Sequence, residues 1–176
     1  MNMTWDIRSH AITISAIIAL TSIVVLALMP QAWAATTATV AATVTPTSIA
    51  VSVSDGSIAF GSVALNTATS TAGNGETQVA TNDGSSAVLN VKSSNASGGT
   101  AWTLGTSAGS DTFKLEVSTT SGSSYMTFQA TDTYLTASST FSSLRTQNLD
   151  FRFTTPTASS DFVQKSVTIT VQVASQ

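Results

Sequence analysis

The sequence predicts an all-β protein, namely an antiparallel β-sandwich of the Ig-like or jelly-roll-like kind, preceded by an N-terminal signal helix. Beyond the first stretch, apolar residues alternate with polar ones in short runs, which are separated by turn residues such as Asp, Asn and Gly. Roughly nine short strands at spacings of about 8–12 residues are typical of a sandwich. An up-and-down barrel is the competing architecture, because it also places alternate residues inside.

The first stretch predicts export. Residues 11–28 form an uncharged apolar run, Arg8 gives the amino end a positive charge, and the small-x-small pattern Ala32-Trp33-Ala34 follows. These features predict a signal peptide over residues 1–34, cleaved between Ala34 and Ala35, so that the rest of the chain works outside the cytoplasm. A retained membrane anchor is the alternative, because a run of this length is close to the shortest that spans a bilayer.

Beyond the predicted cleavage site, we expect a short N-terminal part and one domain. Residues 35–47 predict a strand that ends at Pro46, followed by a connector. Residues 48–176 have a length suited to a single sandwich domain. The strand could pair within its own domain or be donated to another copy of the chain. Its alternating apolar residues are Val40, Ala42 and Val44.

The first part of the domain predicts several short strands. Alternating apolar residues place them over residues 49–53, 58–65, 78–81 and 87–92. Turn signals separate them at Asp55-Gly56-Ser57 and Asn82-Asp83-Gly84. Residues 66–76 are rich in Thr, Ala and Gly, and we expect them to form a surface loop.

The second part contains the clearest alternation. Strands are predicted over residues 101–104, 112–117, 125–128, 149–153 and 167–173. In residues 112–117, Phe113 and Leu115 share one face, while Lys114 and Glu116 share the other. The same alternation predicts that Asp150 faces solvent, and we expect outward positions for Lys92, Lys114 and Lys165.

The composition argues against catalysis. The chain has no Cys, and its one His is His10, inside the predicted signal. Without imidazole or thiolate there is no Ser-His-Asp or Cys-His arrangement and no ordinary zinc or copper site. The net charge is −3 and the cations are scattered, so no basic stripe could neutralise phosphates. We therefore expect no catalytic residues, no cofactor, no metal site and no nucleic-acid partner.

Carboxylates are the remaining candidates for chemistry. Asp55, Asp83 and Asp111 lie in predicted turns, and the chain has no D-x-D-x-D-G calcium pattern, so turn formation is their expected role. A glycosidase acid/base pair could be sought in Asp150 with Asp161, or in Glu76 with Glu116, but nothing in the sequence places either pair together.

Two further residues have candidate roles. Trp102 is expected in the core, with its indole N–H on a backbone carbonyl, rather than as a platform for a sugar ring. The Asn95-Ala96-Ser97 sequon makes Asn95 a candidate glycosylation site.

Three short motifs resemble the WxL-type cell-surface domains. They are Ser57-Ile58-Ala59-Phe60-Gly61-Ser62-Val63, the block over residues 78–91 with its Asn-Asp-Gly turn, and Trp102-Thr103-Leu104. A second Trp-x-Leu near the end of such domains is replaced here by Thr168-Ile169-Thr170-Val171. More loosely, the chain is similar to secreted Thr-rich sandwich proteins such as TasA/camelysin-type biofilm fibre subunits and archaeal bundling pilins. The resemblance implies an extracellular or cell-surface location and a sandwich fold.

The fibre-subunit resemblance implies that an N-terminal segment freed by processing inserts as a strand into a neighbouring subunit. Residues 35–45 have the required small, uncharged and alternating character. We therefore expect a non-enzymatic extracellular structural protein, a surface or biofilm/pilus-like filament subunit whose partners are copies of itself. The alternative is a monomeric cell-wall- or carbohydrate-binding module, with wall or matrix polysaccharide as partner. Membrane contact is expected only through an uncleaved signal.

Overall fold

The computed structural model describes residues 37–176. The predicted signal peptide and its cleavage site at Ala34 and Ala35 lie outside these residues. Thr45–Gln176 forms one compact unit. Within the described part, no helix is both long and apolar enough to span a bilayer.

Ten strands and no helix form among residues 37–176. In chain order they are β1 (Val51–Val53), β2 (Ala68–Ser70), β3 (Gln78–Asn82), β4 (Ala87–Ser93), β5 (Thr103–Gly105), β6 (Thr112–Ser118), β7 (Met126–Thr127), β8 (Leu135–Phe141), β9 (Thr146–Thr154) and β10 (Ile169–Ser175). The prediction of an all-β fold is confirmed for this part of the chain.

The strands form two sheets around one hydrophobic core. The large sheet has the order β1-β3-β9-β6-β5, in which β2 also pairs with β9 and β7 with β6, and the small sheet has the order β10-β4-β8. All strand pairs are antiparallel except β5 and β6, which are parallel. This pair departs from the purely antiparallel prediction, because the loop over residues 106–111 brings the chain back to start β6 beside the start of β5.

Alternation along the strands builds the core. Every second residue of β6 and β9 is buried on the inner face of the large sheet, and β4 and β10 contribute the opposing side chains. The buried apolar residues include Phe113, Leu115, Val117, Leu149, Phe151, Phe153, Leu89, Val91 and Val173. The predicted inward faces of these strands are therefore confirmed.

Two predicted strands do not form. Residues 37–50 have no regular secondary structure, because no other described strand pairs with them. Residues 58–65 form an irregular link, because Gly56 and Gly61 adopt φ values of 74° and 69°, outside the extended region. Conversely, β2 forms inside the predicted loop over residues 66–76, where it pairs with β9.

Candidate functional site: an apolar groove beside β10

An apolar groove with a volume of about 1120 Å³ opens between the two sheets along β10. Phe151 and Phe153 of β9 line it from the large sheet, and Ile169 and Val171 line it from β10. Ile58, Phe60, Val167, Ile169 and Val171 pack against the core but are only partly buried. The residues that the structure describes therefore leave this side of the core accessible.

Phe60 and Phe153 line the floor of the groove, and Phe113 lies beneath them. The Phe60 ring lies 5.5 Å from the Phe153 ring, and the Phe153 ring stacks on Phe113 at 5.0 Å between centroids. Phe113 is fully buried, whereas Phe60 is half-buried at the groove surface. The groove thus continues into a packed aromatic core rather than into a polar cavity.

β10 forms one wall, and no other described strand pairs with its outer edge. It pairs with β4 along its whole length without a register shift. Because Ser94 N donates to Thr168 O at 2.9 Å, alternation turns the backbone N–H and C=O groups of Ile169, Val171 and Val173 away from β4. An edge with free backbone donors and acceptors is a template for another strand.

A buried lysine ties two loops together at the end of the groove where β10 begins. Lys165 Nζ donates to Gly98 O at 2.6 Å, to Thr100 O at 2.7 Å and to Asp161 Oδ1 at 2.5 Å. Its side chain is only 6% exposed. The prediction that Lys165 points outward is therefore wrong, because these three acceptors use all of its protons inside the fold.

Trp102 belongs to the same cluster. The Lys165 ammonium lies 5.3 Å from the Trp102 ring centroid, and Trp102 Nε1 donates to Ser159 Oγ at 3.0 Å. The indole is buried, as expected for a core residue, but its partner is a side-chain hydroxyl and not a backbone carbonyl. We refer to Lys165, Asp161, Ser159 and Trp102 together as the Lys165 clamp.

The clamp contains a carboxylate that stays ionised. The hydrogen bond from Lys165, together with backbone N–H groups of Thr100 and Val163, holds the pKa of Asp161 well below its usual range. A nearby turn carboxylate behaves similarly, because hydrogen bonds from Ser160 lower the pKa of Asp111. These carboxylates fix loops in place, which agrees with a turn-forming role for Asp111.

The clamp holds an exposed apolar pair at the mouth of the groove. Phe162 is 83% exposed and Val163 is 55% exposed, and both line the groove. They lie between Asp161 and Lys165 in the chain, so the clamp fixes the backbone on both sides of them. A large exposed aromatic side chain beside an apolar groove is typical of a surface that binds a partner.

The predicted assembly residues lie in an unpaired, exposed segment. Val40 is 93% exposed and Val44 is 88% exposed, and Ala42 between them is exposed as well. Residues 37–50 belong to no strand, so the alternative in which this segment pairs within its own sheet is not what the structure describes. The role of Val40, Ala42 and Val44 in assembly stays a prediction.

The carboxylates on the outer face of the large sheet are buried, contrary to the sequence prediction. Glu116 is 3% exposed and Asp150 is 1% exposed. Glu116 accepts hydrogen bonds from Arg152 Nε at 2.6 Å and Lys114 Nζ at 2.7 Å, while Asp150 accepts one from Thr77 Oγ1. The prediction that Asp150 faces solvent is wrong, because polar side chains of this face pack over both carboxylates.

The partners of Glu116 also set its ionisation. Burial by itself raises the pKa of Glu116, but the hydrogen bonds and charges of Arg152 and Lys114 outweigh it and lower the pKa to about 2. Asp150 and Asp161 have different sets of partners, so the structure does not assemble them into an acid/base pair. Among residues 37–176, no group of three metal-ligating side chains comes together.

Asn95 lies at the surface at the end of β4. Its Oδ1 accepts a hydrogen bond from Leu104 N at 2.9 Å, which ties it to β5. Its Nδ2, the atom to which an N-linked glycan is attached, has no hydrogen-bond partner among the described residues. Glycosylation of Asn95 stays a prediction.

Sequence reasoning missed Phe162 and Val163 as functional candidates, and it placed Lys165 on an outward face. The available signal was the run Asp161-Phe162-Val163-Gln164-Lys165, in which two adjacent apolar residues break the period-2 pattern just before β10. The groove itself could not be found in this way, because its two walls come from strands that are far apart in the sequence.

No protein-family model, curated protein or solved structure matches this chain. The resemblance to WxL-type domains and to fibre subunits therefore remains a prediction that depends on the short motifs alone.

Proposed function

We propose that this chain is a non-enzymatic extracellular structural protein, a surface or biofilm/pilus-like filament subunit that assembles by donating residues 35–45 to the groove of a neighbouring copy. We take its two sheets to form a β-sandwich of the Ig-like or jelly-roll-like kind. The observation that carries the proposal is complementarity within one chain: an exposed, unpaired apolar segment, and an open apolar groove beside an unpaired strand edge.

The donated segment and the groove match in length. The eleven residues 35–45, when extended, reach about 36 Å, whereas the seven residues of β10 cover roughly 23 Å. Residues 35–45 can therefore run along the whole of β10, which leaves Pro46 and Thr47 as the connector. Pro46 suits this position, because it favours an extended residue before it and needs no hydrogen-bond partner for its nitrogen.

The two surfaces also match in chemistry. Residues 37–45 carry no charge, and Val40, Ala42 and Val44 would enter the groove while Thr39 and Thr43 face solvent. The groove offers Phe60, Phe153, Ile169 and Val171 as apolar contacts. The backbone groups along β10 would gain partners at the same time, which is how an added strand obtains most of its affinity.

A non-enzymatic role is supported by the side chains available. After residue 34 the sequence contains no His and no Cys. The buried carboxylates Glu116 and Asp150 are occupied by ion pairs and hydrogen bonds. No acid/base or nucleophilic chemistry is needed for strand donation.

The second candidate is a monomeric cell-wall- or carbohydrate-binding module. Trp102 does not favour it, because the indole is 9% exposed and hydrogen-bonded. The observation in its favour is Tyr134, which is 43% exposed with Lys92 Nζ 5.2 Å from its ring. A wall-polysaccharide pull-down that is lost in Tyr134→Ala and kept in Phe162→Ala would support it.

Electron microscopy of the secreted protein tests the filament proposal. We expect filaments from the full chain and none after deletion of residues 35–45. The double variant Val40→Ser with Val44→Ser should also abolish them, while the matched variant Thr39→Ser with Thr43→Ser should retain them. A full chain that stays monomeric at high concentration, or filaments that survive the deletion, would overturn the proposal.

A further inference from the structure

The end of the sandwich at which the N-terminal segment joins the domain is known. Asp83 N donates to Ala50 O, and Ser85 N donates to Ser48 O. Thr47, Ser48 and Ile49 share a small cavity of about 260 Å³ with Ser175 and Gln176. The segment therefore enters the domain at the end where β10 finishes.

The apolar mouth of the groove lies at the opposite end. Phe162 and Val163 precede β10, and the Lys165 clamp joins them to residues 98–102 just beyond the end of β4. The lining of the small cavity at the other end is polar apart from Ile49, whereas the clamp end presents the 83% exposed ring of Phe162. The full length of β10, roughly 23 Å, separates the two ends.

The direction of the donated segment relative to β10 therefore distinguishes the possible assembly geometries. We call the end of the groove where β10 begins the clamp end. Suppose that the segment folded back into its own groove, or entered the groove of another copy at the end where that copy's β10 finishes. Its N-terminus would then lie at the clamp end. It would then run parallel to β10. If it entered the next copy at that copy's clamp end, its N-terminus would lie where β10 finishes, and it would run antiparallel to β10.

We propose that subunits join head to tail, with residues 35–45 entering the next copy between Phe162 and β10 and running antiparallel to β10. This inference rests on the proposed strand donation and adds its direction and its entry point. A head-to-tail contact uses two different surfaces and does not close on itself, so it produces an open filament. An antiparallel pair also has the better hydrogen-bond geometry.

Phe162 contacts the donated strand where it enters the groove in this arrangement, and we call this its anchor role. The last apolar residue of the donated strand, Val44, and the connector residue Pro46 pass the clamp end of the acceptor. The clamp holds the Phe162 backbone in place before binding, so little ordering is needed when the strand arrives. Phe162 thus determines which end of the groove accepts the strand.

Cysteine cross-linking tests the direction, and the chain has no Cys of its own to interfere. Singly substituted chains are mixed, assembled and oxidised, so that any disulfide joins two copies. We expect cross-links between Thr43→Cys and Thr168→Cys, and between Thr39→Cys and Gln172→Cys. Thr39→Cys with Thr168→Cys should not cross-link. A register slip of two residues moves the partner to Thr170→Cys without reversing the order.

The outcomes separate this inference from the proposed function. Cross-linking of Thr39→Cys with Thr168→Cys keeps strand donation but overturns the head-to-tail direction. Filaments that survive deletion of residues 35–45 overturn strand donation itself, and no cross-link in any combination overturns both.

A second experiment tests the role of Phe162. Phe162→Ala should raise the critical concentration for assembly about tenfold or more, with an unchanged Tm. Phe162→Leu, which keeps a large apolar side chain, should leave the critical concentration close to that of the native chain. Tyr134→Ala, an exposed aromatic near the β8 edge, is the matched control, and an equal effect there would overturn the anchor role.

Discussion

The small sheet has two edge strands, and they are built differently. β8 pairs with β4 through register shifts on either side of Leu89, and its middle consists of Thr, Ala and Ser. β10 pairs with β4 without a shift and turns Ile169 and Val171 toward the groove. Bulges and polar side chains prevent sheet edges from pairing with other chains. β8 has register shifts and small polar side chains, whereas β10 pairs without a shift and has an apolar face. β10 is therefore the edge suited to accept a strand.

The largest expected effect concerns the strand between the two edges. Leu89 of β4 is fully buried and pairs with Val173 on one side and Ser138 on the other. Leu89→Ala should lower the free energy of unfolding by about 3–4 kcal/mol, because it leaves a cavity under both edges. Val171→Ala, on the half-buried wall of β10, should cost less than about 1 kcal/mol in a single subunit. Chemical denaturation measures both, and equal losses would mean that the groove wall is as closed as the core.

The next effect separates the two edges directly. Val171→Lys places a charge on the groove wall of β10, and its long side chain can reach solvent in a free subunit. An inserted strand would bury that charge, so we expect the critical concentration for assembly to rise about 100-fold or more. Thr140→Lys puts the same charge on exposed β8 and should leave assembly unchanged. Sedimentation of assembled protein measures the difference, and a similar loss in both variants would show that β8 also carries a strand.

The sequence predicted the β10 edge strand and its apolar face. Ile169, Val171 and Val173 alternate cleanly with Thr170 and Gln172, and that pattern predicted β10 and its inward face. The prediction for residues 58–65 failed, because apolar spacing does not reveal that Gly56 and Gly61 leave the extended region. Period-2 patterning also does not show which strands are neighbours, so the separation of β9 and β10 into different sheets became visible only in the structure.

The site was less predictable than the fold. Alternation alone predicted Val40, Ala42 and Val44 as assembly residues, and that role stays a prediction. Lys165 and Glu116 were placed on outward faces, because charge normally predicts exposure. The structure instead gives each of them several partners from distant parts of the chain. Such partners depend on tertiary contacts, which single-strand patterns do not encode.

A smaller effect concerns Glu116 on the outer face of the large sheet. Its contribution to stability should not depend on either edge strand of the small sheet. The folded state lowers the pKa of Glu116 from 4.5 to about 2, so the ionised form stabilises the fold. This contribution is fully present above about pH 4.5 and is lost as the pH falls toward 2. Because Lys114 and Arg152 are partly exposed and solvent screens their charges, it should amount to about 2 kcal/mol, less than the full pKa difference implies. Urea unfolding at several pH values measures it. Glu116→Gln should be less stable at neutral pH and should lack this part of the pH dependence, while a pH dependence identical to that of the native chain would contradict the assignment.

The smallest effect tests how the N-terminal segment is fixed to the end of the two-sheet domain. A Cβ at Gly84 would lie 2.3 Å from Ser48 O and 2.8 Å from Ala50 N, which are backbone atoms of the stretch between the connector and β1. Gly84→Ala should therefore push residues 48–50 away and weaken the hydrogen bond from Ser85 N to Ser48 O, at a cost of about 1 kcal/mol. Gly109→Ala is the matched control, because its Cβ would meet only Thr112 at 3.6 Å. Faster hydrogen exchange at the Ser85 amide in Gly84→Ala, and not in Gly109→Ala, is the expected result. Unchanged exchange there would mean that residues 48–50 are held by other contacts, and the exit point assumed for the head-to-tail filament would then need revision.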